Sequence, residues 1–150
     1  MKTAYFSLGC FWSPQLEFEK IEGVKKAEVG YCGGNDPNTT YEKVCSGSTN
    51  HAETVKIEFD ENVISYEELV KVFFKIHDPT QLNRQGPDIG TQYRSEIFYK
   101  DDEQKKIAEK VKNEFNKKLN GKVVTNISKE KLYQAAESYH QYYLKNKGVL

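Results

Sequence analysis

Cys10 stands between Gly9 and the aromatic pair Phe11-Trp12, where a short apolar strand runs into a helix. A thiolate is a strong nucleophile. Backbone N–H groups at a helix start favour an anion, so this position is expected to lower the thiol pKa from ~8.5. The plain alternative is a buried structural cysteine, a common fate for this residue type. Phe11 and Trp12 can both be core, or they can wall an apolar pocket beside the sulfur. A second group is His51-Ala52-Glu53, at the entrance to a strand. Glu53 suits general acid catalysis if apolar surroundings raise its pKa; otherwise it is a solvated carboxylate at a strand end. The third is Gln85 to Ser95, which sets an acid (Asp88), an amide (Gln92) and a phenol (Tyr93) just before a strand. That is how a pocket rim is built, although a polar loop with glycine turns has the same composition. His51, His77 and His140 follow no metal-ligand spacing, so no metal site is expected. A Cys-His pair of the hydrolase or acyl-transferase type stays open on spacing alone.

The elements that must position these groups follow from periodicity. Tyr5 to Leu8 is a short strand closed by Gly9, and Trp12 to Ile21 has helical spacing, with Pro14 in the first turn and Gly23 as the stop. Val24 to Tyr31 is a strand that ends at Gly33-Gly34. A long polar loop follows, with one short helical turn at Tyr41 to Val44. Thr54 to Phe59 alternates as a half-buried strand does. Ser65 and Glu68 form a capping box for a helix with Leu69, Val72, Phe73 and Ile76 on one stripe. Asp78-Pro79 ends that helix, and Thr80 to Thr91 is a second long loop. Ser95 to Tyr99 is a strand, Asp101 to Leu119 an amphipathic helix, Val123 to Ile127 a strand and Leu132 to Leu144 a short helix. Two β-α-β units predict an α+β, two-layer sandwich with a ferredoxin-like split β-α-β core, a mixed sheet and long functional loops. All 150 residues are expected to form one domain.

Composition narrows the function classes. The chain has 22 Lys+Arg and 22 Asp+Glu, with no long basic block, so a general nucleic-acid binder is not expected. No apolar run approaches the ~18 residues of a membrane span. Three cysteines without a CxxC pair do not make a disulfide scaffold and suggest a reducing compartment. The first ten residues are too short in apolar character for a signal peptide, so a cytoplasmic monomer is expected.

Several motifs occur together, in order: Gly9-Cys10-Phe11-Trp12, Gly30-Tyr31 with Gly33-Gly34, Thr40-Tyr41 with Val44, His51-Ala52-Glu53, His77-Asp78-Pro79-Thr80, Asn83-Arg84-Gln85-Gly86 and Gly90-Thr91-Gln92-Tyr93-Arg94-Ser95. Ala136-Glu137 and Tyr139-His140-Gln141 follow near the end. This series resembles the A-type peptide methionine sulfoxide reductases over nearly the whole chain. The family commonly continues the cysteine motif with a Gly and soon a Glu; here Ser13-Pro14-Gln15 follows. Many members also carry cysteines in a C-terminal tail, whereas Lys147-Gly148-Val149-Leu150 has none.

The resemblance implies reduction of methionine S-sulfoxide, free or in peptides and proteins, through a sulfenic acid on Cys10. It implies Glu53 as the acid, Tyr41 and Tyr93 as donors to the sulfoxide oxygen, and Phe11 and Trp12 around the substrate methyl. Asp88 would contact the substrate backbone or a water. No bound cofactor is implied. An external thiol (thioredoxin, glutaredoxin, glutathione or dithiothreitol) would restore the enzyme, unless an internal cysteine resolves the sulfenic acid. Cys32, beside the Gly33-Gly34 loop, is the favoured internal candidate and Cys45 the other. A binding or redox-sensing domain without turnover would be expected to lack Cys10, Glu53 or the tyrosines.

Overall fold

The structure, a computed structural model, describes residues 1–143. Its strands and helices in chain order are β1 (Lys2–Leu8), α1 (Trp12–Glu19), β2 (Val24–Cys32), α2 (Tyr41–Cys45), β3 (Ala52–Phe59), α3 (Tyr66–Lys75), β4 (Arg84–Gln85), β5 (Asp88–Ile89), β6 (Ser95–Tyr99), α4 (Asp102–Lys118), β7 (Asn126–Lys129) and β8 (Gln134–Ala135). Among the described residues one sheet runs in the order β7-β6-β1-β3-β2-β8, and β4 with β5 forms a separate hairpin. β3 lies between β1 and β2 and pairs antiparallel with both, so α1 connects two strands with a third inserted between them. The β6–β7 pair is parallel, which makes the sheet mixed. The α+β class follows, and the central order β6-β1-β3-β2 is compatible with the split β-α-β core expected from the sequence.

Period-two alternation assigns each strand residue to a layer. Ala4, Phe6 and Leu8 of β1, Val29 and Tyr31 of β2, Val55, Ile57 and Phe59 of β3 and Ile97 of β6 face the main core. Leu69, Val70, Phe73, Ala108 and Val111 of α3 and α4 close it from above. Tyr5, Cys32, Ala52 and Phe98 point through the sheet to a small second cluster, partly covered by Tyr133. The helices are capped as their sequences dictate. Ser65 Oγ accepts the Glu68 N–H at 3.1 Å, and Asp101 Oδ1 accepts the Gln104 N–H at 2.9 Å.

Three sequence expectations are corrected. The strand expected at Val123 to Ile127 begins at Asn126, because the Val123 and Val124 N–H groups donate to Asn116 Oδ1 and the Pro79 carbonyl instead of to a strand. The loop Thr80 to Thr91 holds the β4–β5 hairpin and is followed by a 3-10 turn over Thr91–Tyr93. The helix expected from Leu132 to Leu144 does not form over Leu132 to Tyr142; Leu144 lies outside the described residues. β8 and a 3-10 turn at Ser138–His140 stand there, and Leu132 and Tyr142 both have a φ of +53°, left-handed and incompatible with a continuous α-helix.

Polar side chains take over the work of a helix in that segment. Gln134 bonds both the Thr39 N–H and carbonyl, at 2.8 and 2.7 Å. Gln141 likewise accepts from the Val29 N–H at 3.0 Å and donates to its carbonyl at 2.9 Å. Glu137 accepts from the Tyr31 hydroxyl at 2.8 Å and from the Tyr41 N–H at 3.1 Å. The segment is thus sewn across β2 and the start of α2. Lys147-Gly148-Val149-Leu150 lies outside the described residues.

Candidate active site

Cys10 sits in the turn between β1 and α1 and is half-buried. The turn depends on Gly9, whose φ is +100° and where an added Cβ would lie 2.8 Å from Gln85 Cβ. Gln85 is itself clamped to Asp78, accepting its N–H and donating to its carbonyl, both at 2.9 Å. The β4–β5 hairpin is thereby held over the cysteine turn. On this side Cys10 borders a cavity of about 210 Å³ whose lining includes Ser13, Pro14, Glu17, His77, Gln85 and Asp88. Ser13 and Pro14, where the motif departs from its usual continuation, therefore shape the space next to the sulfur.

Glu53 lies in β3 opposite Tyr31 of β2, and only 1% of it is exposed. One oxygen, Oε1, accepts the Phe11 N–H at 3.3 Å, while the other, Oε2, is buried with no hydrogen-bond partner. Burial, with a smaller push from the Asp88 charge, raises its pKa to about 8. The group is thus a carboxylic acid at neutral pH, and its free oxygen is where a proton can be held for donation.

The Cys10 thiol pKa is pushed up to about 12, first by burial and then by the nearby Glu53 charge. The lowered value expected from the helix start is overturned. The only favourable contribution of that kind is the Trp12 backbone N–H, and it is outweighed by desolvation. Cys10 rests as a thiol, in a site where a protonated Glu53 removes part of the repulsion against its thiolate.

Tyr41 opens α2 and Tyr93 closes the 3-10 turn after β5; both phenols stay protonated through burial. Both are sensitive to the Glu53 charge, and Tyr93 also to Cys10 and Asp88. Tyr93 is held in place by Arg94, whose guanidinium donates to Glu96 at 2.6 Å, the Thr91 carbonyl at 2.9 Å and the Asn50 carbonyl at 3.1 Å. Phe11 is buried against Tyr31 and His140, while Trp12 is half-buried and stacks on Tyr143 at 3.8 Å. Cys10, Glu53, Tyr41, Tyr93, Asp88, Phe11 and Trp12 are therefore gathered at one end of the sheet, although 83 positions of sequence separate Cys10 from Tyr93.

Cys32 is not among them. The pairs Tyr31↔Glu53 and Cys32↔Ala52 put Cys32 on the opposite face of the sheet from Glu53. It is fully buried with Tyr5 and Phe98 there, its thiol 3.4 Å from the Lys131 carbonyl. Bridging Cys10 to Cys32 would require pulling β2 out of the sheet, so the favoured internal resolving residue is corrected. Cys45 is the thiol on the site's side of the sheet: burial and then the Glu53 charge raise its pKa, and it acts electrostatically on Cys10, Tyr41 and Tyr93. The sequence carried the signal, since Tyr41 and Cys45 are one helical turn apart in α2.

His51 and His77 are structural. His51 Nδ1 accepts the Gly34 N–H at 3.0 Å and Nε2 donates to the Asp36 carbonyl at 2.6 Å. His77 Nδ1 donates to the Phe73 carbonyl at 2.6 Å and Nε2 accepts from Ser95 at 2.8 Å. Neither has a nitrogen left for Cys10. Among the described residues no three His, Cys, Asp or Glu side chains converge on a point that could hold a metal, and no helix is long and apolar enough to cross a membrane.

A family model described as peptide methionine sulfoxide reductase matches residues 2–149. Peptide methionine sulfoxide reductase MsrA of Pelagibacter ubique is 58% identical over 147 residues, covering 98% of this chain and 100% of that protein. The reduced form of Mxr1 from Saccharomyces cerevisiae has a similar structure, with a TM-score of 0.93, 37% identity and coverage of 98% of this chain and 86% of that one. Mxr1 in complex with Trx2 gives a TM-score of 0.68 at 26% identity, over 95% and 84% of the two chains.

Proposed function

The chain belongs to the peptide methionine sulfoxide reductase family, and from that premise we propose that it reduces methionine S-sulfoxide, free or in peptides and oxidised proteins, with Cys10 as nucleophile and Glu53 as acid. The observation that carries this reading is the Glu53 carboxyl: buried, protonated near neutrality, with Oε2 unpartnered, Oε1 on the Phe11 N–H, and its charge acting on Cys10. A sulfoxide oxygen needs a proton as its bond to sulfur weakens, and an acid with this pKa can give it.

The Cys10 sulfur attacks the sulfoxide sulfur while Glu53 protonates the oxygen. Tyr41 and Tyr93, both neutral phenols, donate hydrogen bonds to that oxygen. Trp12 encloses the substrate methyl, with Phe11 behind it, and Asp88 meets the substrate backbone or a water from the β4–β5 hairpin. The S–O bond then breaks, leaving a sulfonium whose sulfur is bonded to Cys10; the released hydroxide adds to the Cys10 sulfur, that S–S bond breaks, methionine leaves with the electron pair, and Cys10 holds the oxygen as a sulfenic acid. The proton count closes because the proton lost by the Cys10 thiol replaces the one given by Glu53.

An external thiol then attacks the sulfenic acid, releasing water and forming a mixed disulfide, which a second thiol reduces. The complex of the similar yeast protein with Trx2 supports thioredoxin in that role; glutaredoxin or dithiothreitol has the same chemistry. The three cysteines are unpaired, which supports a reducing compartment such as the cytoplasm.

The test is a single turnover of the reduced protein with each methionine sulfoxide epimer and no added thiol. One equivalent of methionine from the S epimer, a sulfenic acid trapped on Cys10 and no product from the R epimer are expected. Equal product from both epimers, or none from either, would refute the assignment.

A further inference from the structure

The cavity between α1 and the β4–β5 hairpin has Cys10 in its wall, yet the reaction steps above leave it unused. Its volume of about 210 Å³ is below the ~300–1,000 Å³ of a site for a whole small molecule, and it suits one long side chain. The wall has two parts. Leu8, Pro14 and Ile76 are apolar, while Glu17 and Asp88 bring carboxylates from α1 and β5. Glu17 lies one helical turn after Ser13, so both look from the same face of α1 onto the cavity. The Asp88 charge acts on Cys10, Glu53 and Tyr93, which places it at the reacting end of the sheet.

No cation answers these charges. Neither lysine nor arginine lines the cavity, and among the described residues neither carboxylate has an ion-pair partner. His77 brings no charge either: its nitrogens are engaged by the Phe73 carbonyl and by Ser95, and burial pushes its pKa down to about 4.

On an open helix face, two carboxylates would be ordinary solvated groups. Here they stand at one side of a cavity with apolar walls, bordered by the nucleophile itself. Successive Cα atoms of a chain are ~3.8 Å apart, so a peptide that delivers its sulfoxide to Cys10 brings the neighbouring side chain to this cavity. Lysine and arginine match both parts of the wall. Their methylene stems can lie along Leu8, Pro14 and Ile76 while the cation meets the carboxylates.

We propose that this cavity binds the side chain next to methionine sulfoxide in a peptide, that it selects lysine or arginine there over neutral or acidic residues, and that Glu17 is the specificity-determining residue. The proposal rests on the function assigned above and adds which peptides are preferred.

Wild type, Glu17→Gln and Glu19→Gln are compared on short peptides in which the residue before or after methionine S-sulfoxide is lysine, norleucine or glutamate. Norleucine keeps the stem without the cation. Glu19 is on α1 but outside the cavity wall, so Glu19→Gln removes the same charge from the same helix. At low salt, wild type should favour lysine over norleucine about fivefold in kcat/KM at one of the two positions, with glutamate the poorest. Salt at about 0.5 M should shrink that ratio. Glu17→Gln should bring it below about twofold, and Glu19→Gln should keep the wild-type ratio. Each ratio is taken within one protein, so a general change in activity cancels. Equal rates for lysine and norleucine at both positions in wild type overturn the proposal. So does a wild-type ratio in Glu17→Gln, or an equal fall in Glu19→Gln.

A second measurement needs no sulfoxide chemistry. Cationic and anionic methanethiosulfonates are timed on Cys10, with the labelled residue located by peptide mass spectrometry. The ratio of cation to anion rates should fall about threefold in Glu17→Gln and hold in Glu19→Gln; an unchanged ratio in Glu17→Gln overturns the proposal. A wild type that makes no methionine from any peptide fails the functional assignment instead, and the labelling ratios still decide whether Glu17 sets the charge preference beside Cys10.

Discussion

A carboxyl buried at one end of a β-sheet is a cost to the fold, and Glu53 illustrates what it can supply in return. Its folded pKa of about 8 lies above the ordinary value of 4.5. Folding therefore favours its protonated form. Its contribution to stability is fullest below the unfolded pKa and declines by about 1.4 kcal/mol per pH unit as pH rises from ~4.5 to ~8. Glu53→Gln removes this loss. The variant is expected to unfold at higher temperature than wild type at pH 8, by thermal melts, with little difference at pH 4.5. The same change should slow single-turnover reduction about 10²–10⁴-fold. In wild type that step should fail as pH climbs through about 8, the value at which Glu53 loses its proton. A Glu53→Gln enzyme with a wild-type rate and pH profile removes Glu53 from the mechanism. Cys10→Ser should abolish the single turnover entirely, whereas Cys32→Ser should still yield one equivalent of methionine by stopped-time product analysis.

At the scale of elements, the site is assembled by pieces with little regular structure of their own. The 3-10 turn that delivers Tyr93 is anchored by the Arg94–Glu96 pair, whose side chains are only 11% and 7% exposed. Breaking such a pair leaves a buried charge unpaired and costs about 3–5 kcal/mol. Arg94→Ala is therefore expected to lose stability of that order in urea unfolding and to release the Thr91 and Asn50 carbonyls as well. Because Tyr93 moves with the turn, the loss should extend to the rate of sulfoxide reduction even at temperatures where the variant is folded. An Arg94→Ala protein with an unchanged urea midpoint would contradict this account. The C-terminal segment is the second such piece: Gln134, Glu137 and Gln141 replace a helix's internal hydrogen bonds with bonds to β2 and the start of α2.

Across the whole molecule, the sheet divides the cysteines. Cys10 and Cys45 lie with the acid and the phenols, and Cys32 lies behind β2. This division makes the thiol count after one turnover informative. With an external reductant as the resolving agent, wild-type protein treated with methionine S-sulfoxide alone should lose one of its three thiols, and Cys32→Ser should not change that loss. A loss of two that Cys45→Ser prevents would place the resolving step on Cys45 within the pocket. A loss of two that Cys32→Ser prevents would mean that β2 leaves the sheet during turnover.

Much of this arrangement is already present in the chain as local pattern. Alternation in Thr54 to Phe59, the Ser65-Glu68 cap and the stripe of α3 reflect short-range physics, and the structure carries each of them. The junction setting of Cys10, with Gly9 and two aromatics, and the dense polar run before β6 likewise marked two segments that the fold brings to one end of the sheet. What the sequence left undetermined depends on groups far apart in the chain. The Cys10 pKa is set by desolvation and by a carboxyl 43 residues away, so the helix start alone predicted the wrong direction. Which face Cys32 takes follows from the register of β2 on β3, where a shift of one residue exchanges inside and outside. The apolar spacing of the last segment suggested a helix, but side-chain bonds to β2 outweighed that local preference.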